Sequence, residues 1–305
     1  MVTFVSLMTI AKSLLMIRPA AFGFNAETAA SNSFQQKSAA GTVRAAQQEF
    51  DRFVLQLHEH EIAIRVFDDT QEPSKPDAVF PNNWFSTHEN GVLVLYPMAA
   101  HNRRIERRAD IIEQLKKEFG YRTIHDLSYF EKEEKFLEGT GSIVFDHEQK
   151  IAYAGFSPRT DKDVLLQVCE LLGYLPLAFA TAAKNGQPVY HTNVVMAVDE
   201  AIAVVCPDCI PLADDRRAVQ RMLEISGKTI LPINCSQLEA FAGNMLFVKN
   251  ASGKKHVLLS QSAWDSLEKK QQQTLMHFAQ PVIAAIPVIE KTGGGSVRCM
   301  AAELF

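Results

Sequence analysis

The chain has 305 residues, of which 47% are hydrophobic and 22% are charged, and its formal net charge is −4. This balance is typical of a globular protein and excludes a chain that is disordered throughout. A nucleic-acid-binding surface requires clustered basic residues, and the one basic run, at residues 103–108, has the spacing of a solvated helix face. The five cysteines are too few and too irregularly spaced for a disulfide framework, which indicates a reducing, cytoplasmic compartment.

The first 15 residues are apolar, but Lys12 interrupts them. A segment this short cannot span a bilayer, and it lacks the basic start and the small-residue cleavage site of a signal peptide. We therefore predict no membrane association, an N-terminal extension over residues 1–15 that packs loosely, and one folded domain over residues 16–305.

Four predicted β-hairpins recur along the rest of the chain, about 50–60 residues apart, within the period range of repeat architectures. Each consists of two apolar, β-branched runs around a polar turn pair. An amphipathic helix and a further apolar strand follow each hairpin. The hairpins cover residues 79–97, 136–155, 189–206 and 244–260.

The N-terminal part supplies an incomplete fifth unit, with a strand at residues 14–18, a helix at 43–58 and a strand at 62–67. None of these ββαβ units could bury its own sheet, and no linker rich in Pro, Gly or Ser divides them. The pattern therefore predicts a closed ring, a five-bladed α/β propeller, with a mixed open sheet as the alternative. Loops from every blade of such a ring converge on its axis.

Four side chains that could take part in catalysis or binding stand at equivalent places in different repeats. Cys299 follows three consecutive glycines, which allow the backbone to approach a ligand closely, and a cysteine thiolate is a strong nucleophile. His191 opens the third hairpin, Glu138 precedes Gly139 in the second, and Asn83 heads the first. Taken singly, each also has a structural explanation. Cys299 could lie in a flexible tail and His191 in the core, and Glu138 and Asn83 could be turn residues. Their shared position favours a functional site.

A competing motif is Cys206-Pro207-Asp208-Cys209, which follows a predicted strand and precedes a predicted helix. This is the context of a thioredoxin-like redox pair. The lack of a second cysteine pair in the sequence argues against zinc. The regular hairpin repeat argues against a small thioredoxin-like domain, so redox function stays an alternative.

Taken together and in this order, the motifs resemble the amidinotransferase/arginine deiminase superfamily, and most closely its citrulline utilisation hydrolase branch. The resemblance covers nearly the whole chain, from Met16 to Cys299. It is carried by the stretches Met16-Ile17-Arg18-Pro19, Phe80-Pro81-Asn82-Asn83-Trp84-Phe85, Leu137-Glu138-Gly139-Thr140-Gly141-Ser142, Ser157-Pro158-Arg159-Thr160, His191-Thr192-Asn193 and Gly293-Gly294-Gly295 with Arg298-Cys299-Met300.

The resemblance implies a five-bladed ββαβ propeller that works as a hydrolase of carbon–nitrogen bonds other than peptide bonds, without a metal or an organic cofactor. It makes Cys299 the nucleophile, His191 the general acid and base, and Glu138 the carboxylate that binds the reacting head group. It makes Arg104 and Arg159 the arginines that bind the substrate α-carboxylate or order the site. Arg103 is an adjacent candidate. The implied partner is a small amino-acid substrate, and a homo-oligomer stays open.

The departures from the arginine deiminase pattern predict the substrate. Those enzymes resemble this chain but carry acids where it has Asn83 and Asn193. Amides offer both a donor and an acceptor and suit a neutral ureido group, whereas a cationic guanidinium would lose its charge pairing. We therefore predict hydrolysis of citrulline to ornithine, ammonia and carbon dioxide, although nearby Asp77 could restore a negative charge.

Three alternatives stay open at this point. The same scaffold could act as an arginine deiminase or a dimethylarginine hydrolase. From other classes, the chain could be a non-catalytic binding propeller or a redox protein that uses its CxxC pair.

Overall fold

The computed structural model describes residues 11, 13–37 and 40–305. The predicted N-terminal extension therefore lies mostly outside the described residues, which omit residues 1–10 and 12. Residues 13–15 already belong to the first strand, which begins three residues before the predicted domain does. No helix within the described ranges is long and apolar enough to cross a membrane.

The described strands pair into five three-stranded sheets. They are β1 (Ser13–Arg18), β2 (Ile64–Asp68), β3 (Phe85–His88), β4 (Val92–Leu95), β5 (Thr123–Asp126), β6 (Val144–Asp146), β7 (Ile151–Phe156), β8 (Leu175–Ala180), β9 (Met196–Val198), β10 (Ile202–Val205), β11 (Thr229–Pro232), β12 (Leu246–Lys249), β13 (Lys255–Ser260), β14 (Gln280–Ala284) and β15 (Ala302–Leu304).

The described helices connect these strands or precede the first strand of a sheet. The α-helices are α1 (Ala26–Ala29), α2 (Thr42–Glu59), α3 (Ala109–Phe119), α4 (Gly139–Ser142), α5 (Lys162–Leu172), α6 (Thr192–Val195), α7 (Ala213–Ile225), α8 (Cys235–Glu239), α9 (Gln261–Ser266), α10 (Lys269–Phe278) and α11 (Pro287–Gly293). The 3₁₀ helices are Pro81–Asn83, His101–Glu106, Ser128–Glu133, Pro207–Cys209 and Val297–Met300.

Every sheet has the same plan. The first strand runs antiparallel to the second, and the third strand runs parallel to the second after a helical crossover. The incomplete N-terminal unit obtains its missing strand from the other end of the chain, because β15 pairs antiparallel with β1 while β1 pairs parallel with β2. This exchange closes the ring, and the predicted five-bladed ββαβ propeller is confirmed.

Each blade buries its helix against its own sheet, as α3 illustrates. Ile111 and Leu115 lie one turn apart, are fully buried, and pack in one cluster with Leu93 of β4. Burial of each such side chain contributes about 2 kcal/mol. The helix ends at Gly120, whose φ of +78° is left-handed and favours glycine at a helix end.

The structure corrects where the first strands of the blades begin. The sequence predicts a strand from residue 189, but β9 begins at Met196 and is preceded by the helical turn α6. Turns also precede β3, β6 and β15. Apolar runs of four to eight residues fit a buried strand or a buried helical turn equally well, so periodicity could not separate the two.

The start of α5 is a second correction, because the sequence favours Ser157 as its N-cap, with Pro158 in the first turn. The N-cap is instead Asp161, whose side chain accepts from the backbone N–H groups of Asp163 and Val164. Ser157 instead forms a β-bridge with Thr160, which delays the helix by one turn.

Candidate active site

Five polar side chains stand at the heads of the first strands of the five blades. Asn83 precedes β3, Glu138 precedes β6, His191 precedes β9, Asn244 precedes β12 and Cys299 precedes β15. All five are at least 98% buried. Because the heads of the blades meet at the ring axis, side chains that are far apart in sequence come together there, and Asn83, His191 and Cys299 line one pocket.

The Cys299 thiol faces two amides. Its Sγ atom lies 3.3 Å from Asn244 Nδ2 and 3.6 Å from Asn193 Nδ2. Burial raises the pKa of the Cys299 thiol, and hydrogen bonds, including those of the two amides, oppose that effect. The Arg298 guanidinium donates instead to Ala301 O and to Glu303. The resting thiol is therefore protonated.

The imidazole of His191 lines the same pocket as Cys299, and its Nε2 atom lies 2.8 Å from Glu138 Oε2. Burial lowers the pKa of His191 to about 4, although Glu138 acts in the opposite direction. The imidazole is therefore neutral at pH 7. Since a carboxylate only accepts hydrogen bonds, Nε2 carries the proton and Nδ1 keeps a free lone pair.

The Glu138 carboxylate is fully buried and held by several donors. Its Oε1 accepts from the backbone N–H of Ala99 at 3.1 Å, and its Oε2 lies 3.3 Å from Arg159 Nη1. Burial alone would raise the pKa of Glu138, but Arg159, His191 and Arg103 together hold it well below its usual range. A permanent negative charge therefore lies directly behind the imidazole.

Of the neighbouring pair of arginines, Arg103 lines the pocket with Arg159. Arg103 donates to Asn83 Oδ1 at 2.9 Å and forms a two-pronged ion pair with Glu106 at 2.9 and 2.8 Å. Arg104 lies elsewhere, with its Nε atom 3.1 Å from Met98 O and 3.4 Å from Glu131. The structure thus brings Arg159 and Arg103 to the pocket, while the role expected for Arg104 stays a prediction.

The two asparagines that the sequence analysis singled out occupy different places. Asn193 touches the thiol, whereas Asn83 is turned toward Arg103. Asn83 Nδ2 is buried and has no hydrogen-bond partner among the described residues. Asp77 lies 3.8 Å from Arg103 and accepts from Asn25 and Thr28. Burial raises the pKa of Asp77, against the effect of Arg103.

A segment formed by residues 19–37, which we call the strap, covers the pocket. Its Asn32 side chain donates to Gly294 O at 3.0 Å, and its Gln35 side chain donates to Gly293 O at 2.9 Å. Arg159 donates to Thr28 O at 2.8 Å on the same segment. The free volume among the lining residues is about 10 Å³, which is room for about one water molecule. With the strap in this position, the pocket is therefore too small for an amino acid.

The sequence analysis missed Asn244, Glu106 and the strap. Asn244 carried a usable signal, because it opens the fourth predicted hairpin at the position equivalent to His191 and Glu138. Glu106 and the polar side chains of the strap carried none, since their importance depends on which loops fold over the axis.

This fold, with a cysteine, a histidine and a glutamate at its axis, agrees with the resemblance to the amidinotransferase/arginine deiminase superfamily. More narrowly, the family model described as "N,N dimethylarginine dimethylhydrolase, eukaryotic" matches residues 18–305, so the chain belongs to that family. No curated protein matches the chain.

Solved structures with the same fold cover almost the whole chain. Apo ArgZ, a cyanobacterial arginine dihydrolase, has a TM-score of 0.75 at 15% identity, over 96% of this chain and 40% of ArgZ. The product-bound N-terminal domain of ArgZ has a TM-score of 0.76 at 14% identity, over 96% and 97%. A cysteine mutant of DDAH from Pseudomonas aeruginosa, complexed with citrulline, has a TM-score of 0.67 at 14% identity, over 97% and 100%. The chain thus spans less than half of full-length ArgZ, and at these identities the likeness shows the fold alone.

Proposed function

We propose that the chain hydrolyses the ureido group of citrulline, or of a closely related amino acid, with Cys299 as the nucleophile. The observation that carries the proposal is the pair of amides, Asn193 and Asn244, within 3.6 and 3.3 Å of the thiol. A ureido group presents a carbonyl oxygen and N–H groups, which amides serve as donor and acceptor. The products would be ornithine, ammonia and carbon dioxide.

The charges around the pocket support a neutral head group. Glu138 lies 3.3 Å from Arg159, and Glu106 lies 2.8 Å from Arg103. A guanidinium cation would have to compete with these arginines for a carboxylate. In a site that excludes water, an incompletely paired cation is costly.

The first chemical step activates the sulfur. We assign the thiol proton to Nδ1 of His191, and Glu138 then stabilises the imidazolium that forms. The thiolate adds to the ureido carbon and opens the C=O double bond. When that bond reforms, the C–N bond breaks, and His191 gives its proton to the departing amine.

The second half regenerates the enzyme. His191, neutral again, accepts a proton from a water molecule that attacks the S-carbamoyl carbon. The C–S bond breaks, the sulfur recovers a proton through His191, and the resulting carbamic acid breaks down to carbon dioxide and the second amine. These steps use side chains of the chain and one water molecule.

In this proposal, Arg159 binds the end of the substrate that is away from the reacting carbon. Its Nε and Nη2 atoms donate to Ser31 Oγ of the strap at 3.0 and 2.8 Å. A forked guanidinium binds a carboxylate with two parallel hydrogen bonds. The substrate α-carboxylate would replace these strap contacts.

The test is product release from purified protein with citrulline, arginine and dimethylarginine supplied separately at neutral pH. The proposal expects ornithine and ammonia from citrulline and little turnover of the two guanidino substrates. Cys299→Ser serves as the inactive control, and Cys169→Ser as the matched control. Turnover of a guanidino substrate without turnover of citrulline would refute the ureido assignment and keep the nucleophile.

The second candidate is hydrolysis of a guanidino substrate such as dimethylarginine, which the family match favours. In that case Asp77, 3.8 Å from Arg103, would supply the missing negative charge. The same assay separates the two candidates, because only the guanidino reaction produces citrulline.

A further inference from the structure

Three thiols meet on the blade formed by β9, β10 and β11, away from the pocket that contains Cys299. Cys206 directly follows β10, and Cys235 lies three residues after β11. The two strands are parallel, with Val205 opposite Pro232, so the segments that follow them leave the sheet at the same edge. Cys209 joins them because the turn Pro207–Cys209 closes through a hydrogen bond from Cys209 N–H to Cys206 O at 3.2 Å.

The sulfur–sulfur distances match the coordination shell of one metal ion. Cys206 Sγ and Cys209 Sγ are 3.3 Å apart, Cys209 Sγ and Cys235 Sγ are 3.7 Å apart, and all three lie within 4.8 Å of one another. Four ligands at tetrahedral zinc–sulfur distances of about 2.3 Å are about 3.8 Å apart. A disulfide would instead require about 2.05 Å.

We propose that Cys206, Cys209 and Cys235 bind one thiophilic divalent ion, Zn²⁺, with a fourth coordination position open to an external ligand. Thiolates are the ligands that favour zinc over harder divalent ions. The sequence motif offers two sulfurs, which is too few for a stable zinc site. The parallel pairing of β10 and β11 supplies the third.

The site has an entry path. Cys206 and Cys209 are fully buried, whereas Cys235 is half-buried and lines a surface cavity of about 520 Å³ together with Cys209. An ion can reach the three sulfurs from this side, and a water molecule or a small ligand can complete the tetrahedron. Phe34 of the strap lines the same cavity, so the proposed site lies beside the segment that covers the active site.

The first test is a titration of the reduced full-length chain with Co²⁺, followed by displacement with Zn²⁺. It is done in a Cys299→Ser background, so that the active-site sulfur cannot bind the ion. We expect a thiolate-to-cobalt charge-transfer band that saturates at one ion per chain and disappears when Zn²⁺ is added. Cys206→Ser, Cys209→Ser and Cys235→Ser are each expected to weaken binding by at least about tenfold. Cys169→Ser, which changes a buried thiol in another blade, is expected to leave it unchanged.

The second test needs no variant in the cluster and therefore does not depend on how serine substitutions fold. Zn²⁺ is expected to slow alkylation of Cys235 in the wild-type chain, as measured by peptide mass spectrometry. Unchanged alkylation, or no charge-transfer band in the reduced protein, would overturn the proposal. If the mass of the protein falls by that of two protons in a glutathione buffer, and the reduced protein binds no metal, the cysteines are a redox pair instead.

Discussion

The Nε2 atom of His191 lies 2.8 Å from Oε2 of Glu138, and neither side chain is more than 2% exposed. This contact fixes the orientation and the tautomer of the imidazole before any substrate enters. It also places the negative charge where an imidazolium would form during proton transfer. The remaining groups of the pocket are arranged around this pair.

Replacement of the nucleophile is expected to separate chemistry from folding. Cys299→Ser should lower kcat by at least about a thousandfold, because a serine hydroxyl is a far weaker nucleophile beside a neutral imidazole. The change is nearly isosteric, so the melting temperature should stay close to that of the wild type. Steady-state ammonia release and thermal unfolding measure the two effects. Wild-type turnover by this variant would exclude the proposed mechanism.

The stability contributed by His191 is expected to depend on pH. Burial lowers its folded-state pKa to about 4, below the unfolded value of 6.5. Between these values the unfolded chain binds the extra proton, so the stabilisation is complete above pH 6.5 and is lost as the pH falls toward 4. Over that window the free energy of unfolding of the wild type should fall relative to that of His191→Gln by about 3 kcal/mol.

Urea unfolding of both proteins at several pH values measures this difference. Taking the difference removes the contributions of other buried groups that titrate in the same range. A difference that is independent of pH would show that the imidazole is already protonated in the folded protein.

Replacing Asn83 or Asn193 by aspartate is expected to shift the substrate preference toward guanidino substrates. Asn83→Asp and Asn193→Asp each add a carboxylate that can pair with a guanidinium, and each places a negative charge beside the reacting group. We expect the ratio of kcat/KM for arginine to that for citrulline to rise by at least about tenfold. Asn185→Asp, at an exposed loop, is the matched control. An unchanged ratio would mean that the asparagines do not set the preference.

Glu106 is expected to act as a positioning residue for Arg103. Removing its charge in Glu106→Gln leaves a fully buried guanidinium without its two-pronged partner, at a cost of about 3 kcal/mol. In the double variant Arg103→Met with Glu106→Leu, most of that stability should return, because apolar side chains can replace a buried ion pair. Activity should not return, since Asn83 loses its donor. Recovery of both stability and activity would assign the pair a purely structural role.

The two arginines that the family resemblance implies can be compared directly. Arg159→Lys should raise the KM for citrulline by about tenfold or more, because an ammonium cannot form the two parallel hydrogen bonds to a carboxylate. Arg104→Lys is expected to change KM little, since its guanidinium lies on Met98 O and Glu131. An equal increase in KM for both variants would place Arg104 on the substrate when the strap opens.

Much of the fold could be predicted from the sequence because its signals are local. Apolar runs around polar turn pairs predict four hairpins, and the glycine after α3 marks where that helix ends. The head of each hairpin was visible in the same pattern, which is why Cys299, His191 and Glu138 could be singled out. Asn244 shares that position and was overlooked only because an asparagine at a strand end is common.

Other features depend on contacts between segments that are distant in the chain, and no local pattern encodes those. Arg103 and Arg104 are neighbours on a 3₁₀ turn, where one step rotates a side chain by about 120°, so only the packing of the turn decides which of them reaches the pocket. Ring closure by β15, the strap over the thiol and the arrival of Cys235 beside the CxxC pair are decided in the same way. The sequence by itself determined the repeated blades and the residues at their heads. The tertiary structure decided which of those side chains touch, because contact at the axis depends on how all five blades close.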